Sequence, residues 1–148
     1  MKRRTIHLFI IFLLALGLPL LMAGPPAHAQ DDLSQLIVGE WKLAPNKRAT
    51  EGSIVFSAGG TYELFERLHD GTGVTTKGGY QLNVKSSPSR IDLCVGKCGQ
   101  PGSEWTTRFG IIKVLGEGKL QIQTSPDGKY PSAFPEDTTG KYTMILTR

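Results

Sequence analysis

The sequence predicts an all-β domain, and three observations carry that expectation. Short runs with alternating apolar and polar residues recur along the chain. Glycine and proline clusters punctuate them: 16 of the 18 glycines and six of the nine prolines lie after residue 29. Only one brief segment has helical spacing, Asp32 to Val38. Its acidic start suits a helix N-terminus, and Leu33, Leu36 and Ile37 recur at helical intervals.

The N-terminal stretch reads as a removable leader. Lys2, Arg3 and Arg4 are followed by an apolar run from Leu8 to Met22, and Ala27-His28-Ala29 supplies the small residues of a cleavage site. The competing reading is an uncleaved membrane anchor. The run from Leu8 to Ala23 spans only 16 residues and is interrupted by Gly17 and Pro19, whereas crossing a bilayer core takes about 20 apolar residues. Removal of residues 1–29 leaves residues 30–148, a single-domain length of 119. No cysteine precedes Cys94, so no lipid acceptor stands near the cut. The expected product is a periplasmic or secreted protein with no membrane span after cleavage.

Charge follows the same division. Loss of Lys2, Arg3 and Arg4 leaves 14 basic against 13 acidic residues, a net charge of +1. Nucleic-acid binding, which needs clustered Lys and Arg, loses its support. One histidine remains, His69, so a multi-histidine metal centre is excluded.

Eight strands are expected. The first runs Glu40 to Ala44 and stops at Pro45-Asn46. The second, Ser53 to Ser57, carries Ile54 and Phe56 on one face and ends at Ala58-Gly59-Gly60. The third, Thr61 to Leu68, places Tyr62, Leu64, Glu66 and Leu68 on one face, and His69-Asp70-Gly71 closes it with turn chemistry. The fourth, Val74 to Lys85, alternates most cleanly from Tyr80 to Lys85, with Gly78-Gly79 allowing a bulge or bend. Ser87-Pro88-Ser89 turns into the fifth, Arg90 to Val95. The sixth, Glu104 to Leu115, joins tightly through Gly116-Glu117-Gly118 to the seventh, Lys119 to Thr124. A segment from Ser125 to Gly140 precedes the eighth, Lys141 to Arg148.

Short turns favour antiparallel neighbours. Half-apolar strands each need one buried face, and about eight can close into a barrel, which also removes exposed edges. A two-sheet sandwich fits the same alternation. No internal repeat or second domain is found.

Gly39-Glu40-Trp41 resembles the G-x-W element that opens lipocalin-like (calycin-type) barrels. In that superfamily the Trp packs across the closed end, and an Arg late in the last strand lies over its ring. Arg148 is the matching residue here. Such a guanidinium–indole contact is worth about 0.5–2 kcal/mol. The order of G-x-W, Ile91-Asp92-Leu93, Gly110-Ile111-Ile112, Gly118-Lys119-Leu120 and Pro131-Ser132-Ala133-Phe134 is similar to a group of small bacterial lipocalin-like domains. The likeness covers Leu36 to Arg148. Relatives often carry Arg before the Pro-x-x-Phe element, where this chain has Tyr130. The resemblance implies a single antiparallel eight-stranded up-and-down β-barrel with a short N-terminal helix, and it informs fold more than activity.

Cys94 and Cys98 are the only two cysteines. In an exported protein the pair reads as a disulfide pinning the turn after the fifth strand. The three-residue spacer departs from the C-x-x-C pattern of reactive redox pairs, and no Cys or His cluster supplies further metal ligands. Glu66 shares parity with Leu64 and Leu68. It is expected either to face the interior, opposite Arg108, or to lie solvated at the rim. His69, Asp70 and Glu66 could make a weak metal or proton-transfer group, against the commoner solvent-exposed turn histidine. Glu136-Asp137 reads as a solvated loop. Trp105, Phe109 and Ile111 alternate with Arg108 and Gly110, reading as core or as the lining of an apolar cup. Phe65 falls on the opposite face from Leu64, where a protein-binding patch could lie.

No Walker-type phosphate loop, G-x-S-x-G elbow or H-E-x-x-H motif occurs. The expectation is therefore a non-enzymatic binding module with no catalytic residues, cofactor or metal. Small barrels leave interior room at one end, which suits a small apolar or amphipathic ligand. Phe56, Tyr62, Leu64, Tyr80 and Phe109 are the candidate contacts, with Glu66 as polar anchor. The alternative is a protein-interaction module with a packed barrel, such as a protease inhibitor or envelope accessory factor. It would use Asp31 to Val38 or the Ser125 to Gly140 loop.

Overall fold

A computed structural model describes residues 33–98 and 105–148. The expected leader and its cleavage point, Asp31, Asp32 and Glu104 lie outside the described residues, as does the side chain of Trp105. The eight strands are β1 (Gly39–Leu43), β2 (Ala49–Phe56), β3 (Thr61–Leu68), β4 (Gly73–Asn83), β5 (Arg90–Gly96), β6 (Trp105–Gly116), β7 (Lys119–Thr124) and β8 (Thr143–Thr147). Each pairs antiparallel with its sequence neighbour, and β8 returns to β1. The sheet is a closed up-and-down barrel rather than a sandwich. Among the described residues no helix is long and apolar enough to cross a membrane.

Several expected boundaries move by a residue or more, and two of the changes have structural consequences. β2 begins at Ala49 rather than Ser53, because a register shift between Ala49 and Glu51 bulges the strand. The shift brings Ala49, out of phase with Ile54 and Phe56, onto the inner face opposite Leu68, where it is fully buried. The helix is also shorter than expected, covering residues 33–36. Gly78-Gly79 carries no register shift against β3 or β5. Its glycine answers a close approach instead: a Cβ on Gly78 would fall 1.7 Å from the Cys94 carbonyl oxygen.

Chain direction sorts the loops into two ends. The helix, the turns after β2, β4 and β6, and Arg148 gather at one end, which is packed solid. Trp41, Ile54, Phe56, Ile91, Ile112, Leu120, Ile122 and Leu146 are all at most 1% exposed there. The loops after β1, β3 and β7 and the C-terminal end of β5 lie at the other end.

The barrel's shortest seam lies between β1 and β8. It pairs only Lys42 with Thr147 and Leu43 with Leu146, extended by the Ala44 N–H donating to the Ile145 carbonyl. A side-chain knot closes the chain beside it. The Trp41 indole Nε1–H donates to the Ile37 carbonyl at 2.8 Å, and the Arg148 guanidinium carbon lies 4.2 Å from the indole centroid. Arg148 also donates to the carbonyls of Leu36 and Val38. A one-turn helix leaves its last carbonyls unpaired, and here the two side chains satisfy them with an indole N–H and a cation. Gly39 makes room for the arrangement: its φ is +121°, and a Cβ there would stand 3.2 Å from the Arg148 guanidinium. Gly39, Trp41 and Arg148 thus act together as the expected closure.

Removal of this knot gives a first test. Arg148→Met is expected to cost about 1–2 kcal/mol through the lost cation–π contact and carbonyl bonds, and Trp41→Ala about 3–5 kcal/mol through its cavity. Urea unfolding followed by tryptophan fluorescence or circular dichroism reads both. An unchanged midpoint for Arg148→Met would show the knot to be ornamental.

Candidate functional site

The open end encloses a cavity of about 540 Å³. This lies within the roughly 300–1,000 Å³ of small-molecule sites. Its floor is the inner face of β3, β5 and β8, presenting Tyr62, Leu64, Leu93 and Met144. Thr76 of β4 and Thr124 of β7 add small polar walls. The loops after β1 and β7 supply Asn46, Lys47, Arg48, Pro126, Lys141 and Tyr142 to the rim.

The six candidate contacts separate into three groups. Tyr62, Leu64 and Glu66 line the cavity together. Phe56 and Tyr80 do not: their rings meet edge to face at 5.0 Å, Phe56 is 1% exposed, and the Tyr80 hydroxyl donates to the Ser57 carbonyl at the closed end. Burial holds the Tyr80 phenol above its ordinary pKa.

Phe109 lies on the outside of the barrel, which corrects the expectation that it lines a cup. Register pairs Arg108 with the buried Leu93 and Phe109 with Asp92, so Arg108 takes the inner face. Gly110 confirms the phase, since its missing Cβ would meet Ile91 of the core at 3.2 Å. The Phe109 ring instead packs edge to face on Tyr130, 5.1 Å away. Tyr130 donates its hydroxyl to Asp92 at 2.6 Å and lies 4.3 Å from the Arg90 guanidinium. Burial, then the Asp92 hydrogen bond and charge, raise the Tyr130 pKa against the opposing pull of Arg90. Lys113, on the same outer face, caps the Phe134 ring at 4.3 Å. The long connection between β7 and β8 is thereby folded down the outer wall. Ile111, between Phe109 and Lys113 on that face, is 1% exposed. Phe65 also lies outside, half-buried beneath Arg67, whose guanidinium is 5.8 Å from its ring.

The rim is built around Asn46, an 8% exposed side chain. Its carbonyl oxygen accepts from the N–H groups of Arg48 and Ala49, and its amide donates to the Thr143 carbonyl. Every polar group of the side chain is used, so the loop after β1 is held rigidly against β8. His69 reaches the same loop through Nε2, 2.9 Å from the Asn46 carbonyl. Lys47 binds Asp137 at 2.7 Å, linking the loops after β1 and β7. That bond, with two more from Thr139, pulls Asp137 well below the ordinary carboxylate range.

Glu66 faces inward and is 5% exposed. Its partner is Arg48 rather than Arg108: the Arg48 Nε–H is shared between both carboxylate oxygens at 3.0 Å. A carboxylate so deep is tolerable only when paired. Arg108 is exposed in the cavity wall, near enough to Tyr62 to oppose the upward shift that burial imposes on its phenol. Among the described residues no carboxylate forms an ion pair with Arg108, and no group of three His, Cys, Asp or Glu side chains is placed to hold a metal.

Cys94 and Cys98 form the expected disulfide at the end of β5. It is a bond that persists in oxidising compartments. No protein-family model matches the chain, and no curated protein matches it significantly.

The Arg48–Glu66 pair offers a second test. Arg48→Ala leaves a buried carboxylate unpaired and is expected to cost about 1–3 kcal/mol, toward the lower end because the Arg48 side chain is 39% exposed. Adding Glu66→Gln should recover most of the loss. A double-mutant cycle by chemical denaturation measures the coupling, expected at about 1 kcal/mol. A coupling of zero would mean that the pair is incidental.

Proposed function

We propose that this protein is an exported, non-enzymatic binding module that takes a small apolar or amphipathic molecule into the open end of its barrel. The observation that supports it most directly is the division of the interior. Closely packed side chains fill one half, and about 540 Å³ with an apolar floor remains in the other. A barrel whose role was purely structural would gain by filling that half, since buried apolar contacts stabilise in proportion to area.

The rigidity of the rim fits the same reading. Asn46, the Lys47–Asp137 bond and the Arg48–Glu66 pair fix the mouth through interactions made within the chain. A preorganised site spends less of its binding energy on ordering itself. The disulfide supports a periplasmic or extracellular setting, where a protein of this kind would scavenge or carry its ligand.

Native mass spectrometry of the protein purified from its own host tests the proposal. A co-purifying molecule that organic extraction removes is expected, and the extracted protein should retake one equivalent of dodecanol. Thr76→Trp, which projects an indole into the cavity from β4, should abolish that uptake while the circular dichroism spectrum is kept. A bare protein that takes up no dodecanol would refute the proposal.

A further inference from the structure

The cavity wall carries more positive charge than its own carboxylate can answer. Lys47, Arg48, Arg108 and Lys141 line it, against Glu66 alone. Two of these cations are committed within the chain: Arg48 binds Glu66 at 3.0 Å, and Lys47 binds Asp137 at 2.7 Å. Arg108 and Lys141 are left without carboxylates among the described residues, Lys141 resting over the Tyr142 ring at 4.9 Å. The excess is local, because the chain beyond residue 29 is almost neutral.

Arg108 also occupies a place where the sheet would ordinarily put an apolar side chain. It stands on the inner face of β6, directly opposite Leu93 of the cavity floor. Tyr62 shares the cavity and, among the described residues, its hydroxyl has no hydrogen-bond partner. Burial keeps that phenol protonated, so it remains a donor. A guanidinium and an O–H thus face the cavity, each able to donate to an anionic oxygen, with Leu64, Leu93 and Met144 beside them.

Resting on the binding role proposed above, we infer that the ligand is a single-chain amphiphile with an anionic head, a carboxylate or a phosphate. Arg108 holds the head with help from Tyr62 and Lys141, and the chain lies along Leu64, Leu93 and Met144. Planar guanidinium matches either oxyanion through paired N–H donors, and such charge-assisted bonds are the strong ones. A cationic head would meet uncompensated like charge, and a neutral head would leave Arg108 unanswered.

Four probes with the same chain separate the possibilities: laurate, dodecyl phosphate, dodecanol and dodecyltrimethylammonium, each titrated calorimetrically below its micelle concentration. At least one anion is expected to bind about tenfold or more tightly than dodecanol, and the quaternary amine more weakly still. The stronger of laurate and dodecyl phosphate names the head group. Arg108→Gln should remove the preference, and Lys85→Gln at the closed end, which loses the same charge, should keep it. Equal binding of all four probes, or an anion preference that survives Arg108→Gln, would overturn this inference and leave the binding role standing. Failure of all four to bind would instead remove the binding role itself.

Discussion

A tryptophan held beneath an arginine governs how this barrel is closed. β1 and β8 share so few backbone bonds that their seam alone is a weak closure. The indole of Trp41 and the guanidinium of Arg148 reinforce it by tying the C-terminal residue to the carbonyls of the N-terminal turn. The contact therefore joins the two ends of the described domain, and every strand between them is held in a ring. A sheet so closed presents no free edge, which for a small domain removes a standing route to aggregation.

Plugging one end has a consequence at the other. Side chains large enough to fill the closed half come from β1, β2, β5, β6, β7 and β8, but the inner positions toward the mouth change character. Thr76, Thr124 and Arg108 replace branched aliphatics, and Glu66 enters with Arg48 as its partner. Polar residues at inward positions cannot pack dry, so the mouth stays open where the base is filled. Asn46 and the Lys47–Asp137 bond then give the opening a fixed outline. The cavity is thus a property of the inward sequence positions, stabilised by loops that bind one another.

Most of the architecture was legible because period-2 alternation and glycine-rich turns encode strands locally, and the G-x-W element fixed which end is closed. Tyr62, Leu64 and Glu66 follow from parity along the third strand, whereas Trp41 and Arg148 follow from the resemblance to the G-x-W element. β6 was misread for a physical reason. Both faces of that strand carry apolar residues, Phe109 and Ile111 on one and Ile112 on the other, and alternation alone does not say which is inward. The loop after β7, bearing Tyr130 and Phe134, gives the outer face a second burial of its own. A signal was present in Gly110, a residue with no side chain to pack, opposite Ile91 of the fifth strand. Phe56 and Tyr80 were placed on the correct face, but nothing local distinguishes the filled half of a barrel from the open one. Arg48 lies in the loop before β2, outside any alternating run, so period-2 counting does not foresee its pairing with Glu66.

A two-compartment interior, dry at one end and receptive at the other, is the claim on which the rest depends. Methyl-resolved NMR of the protein titrated with laurate tests it most directly. The methyl signals of Leu64, Leu93 and Met144 should shift in a saturable way, while those of Ile54, Ile122 and Leu146 stay in place. Shifts confined to the exposed Val55, Val114 and Leu115, or spread evenly through the closed half, would contradict it.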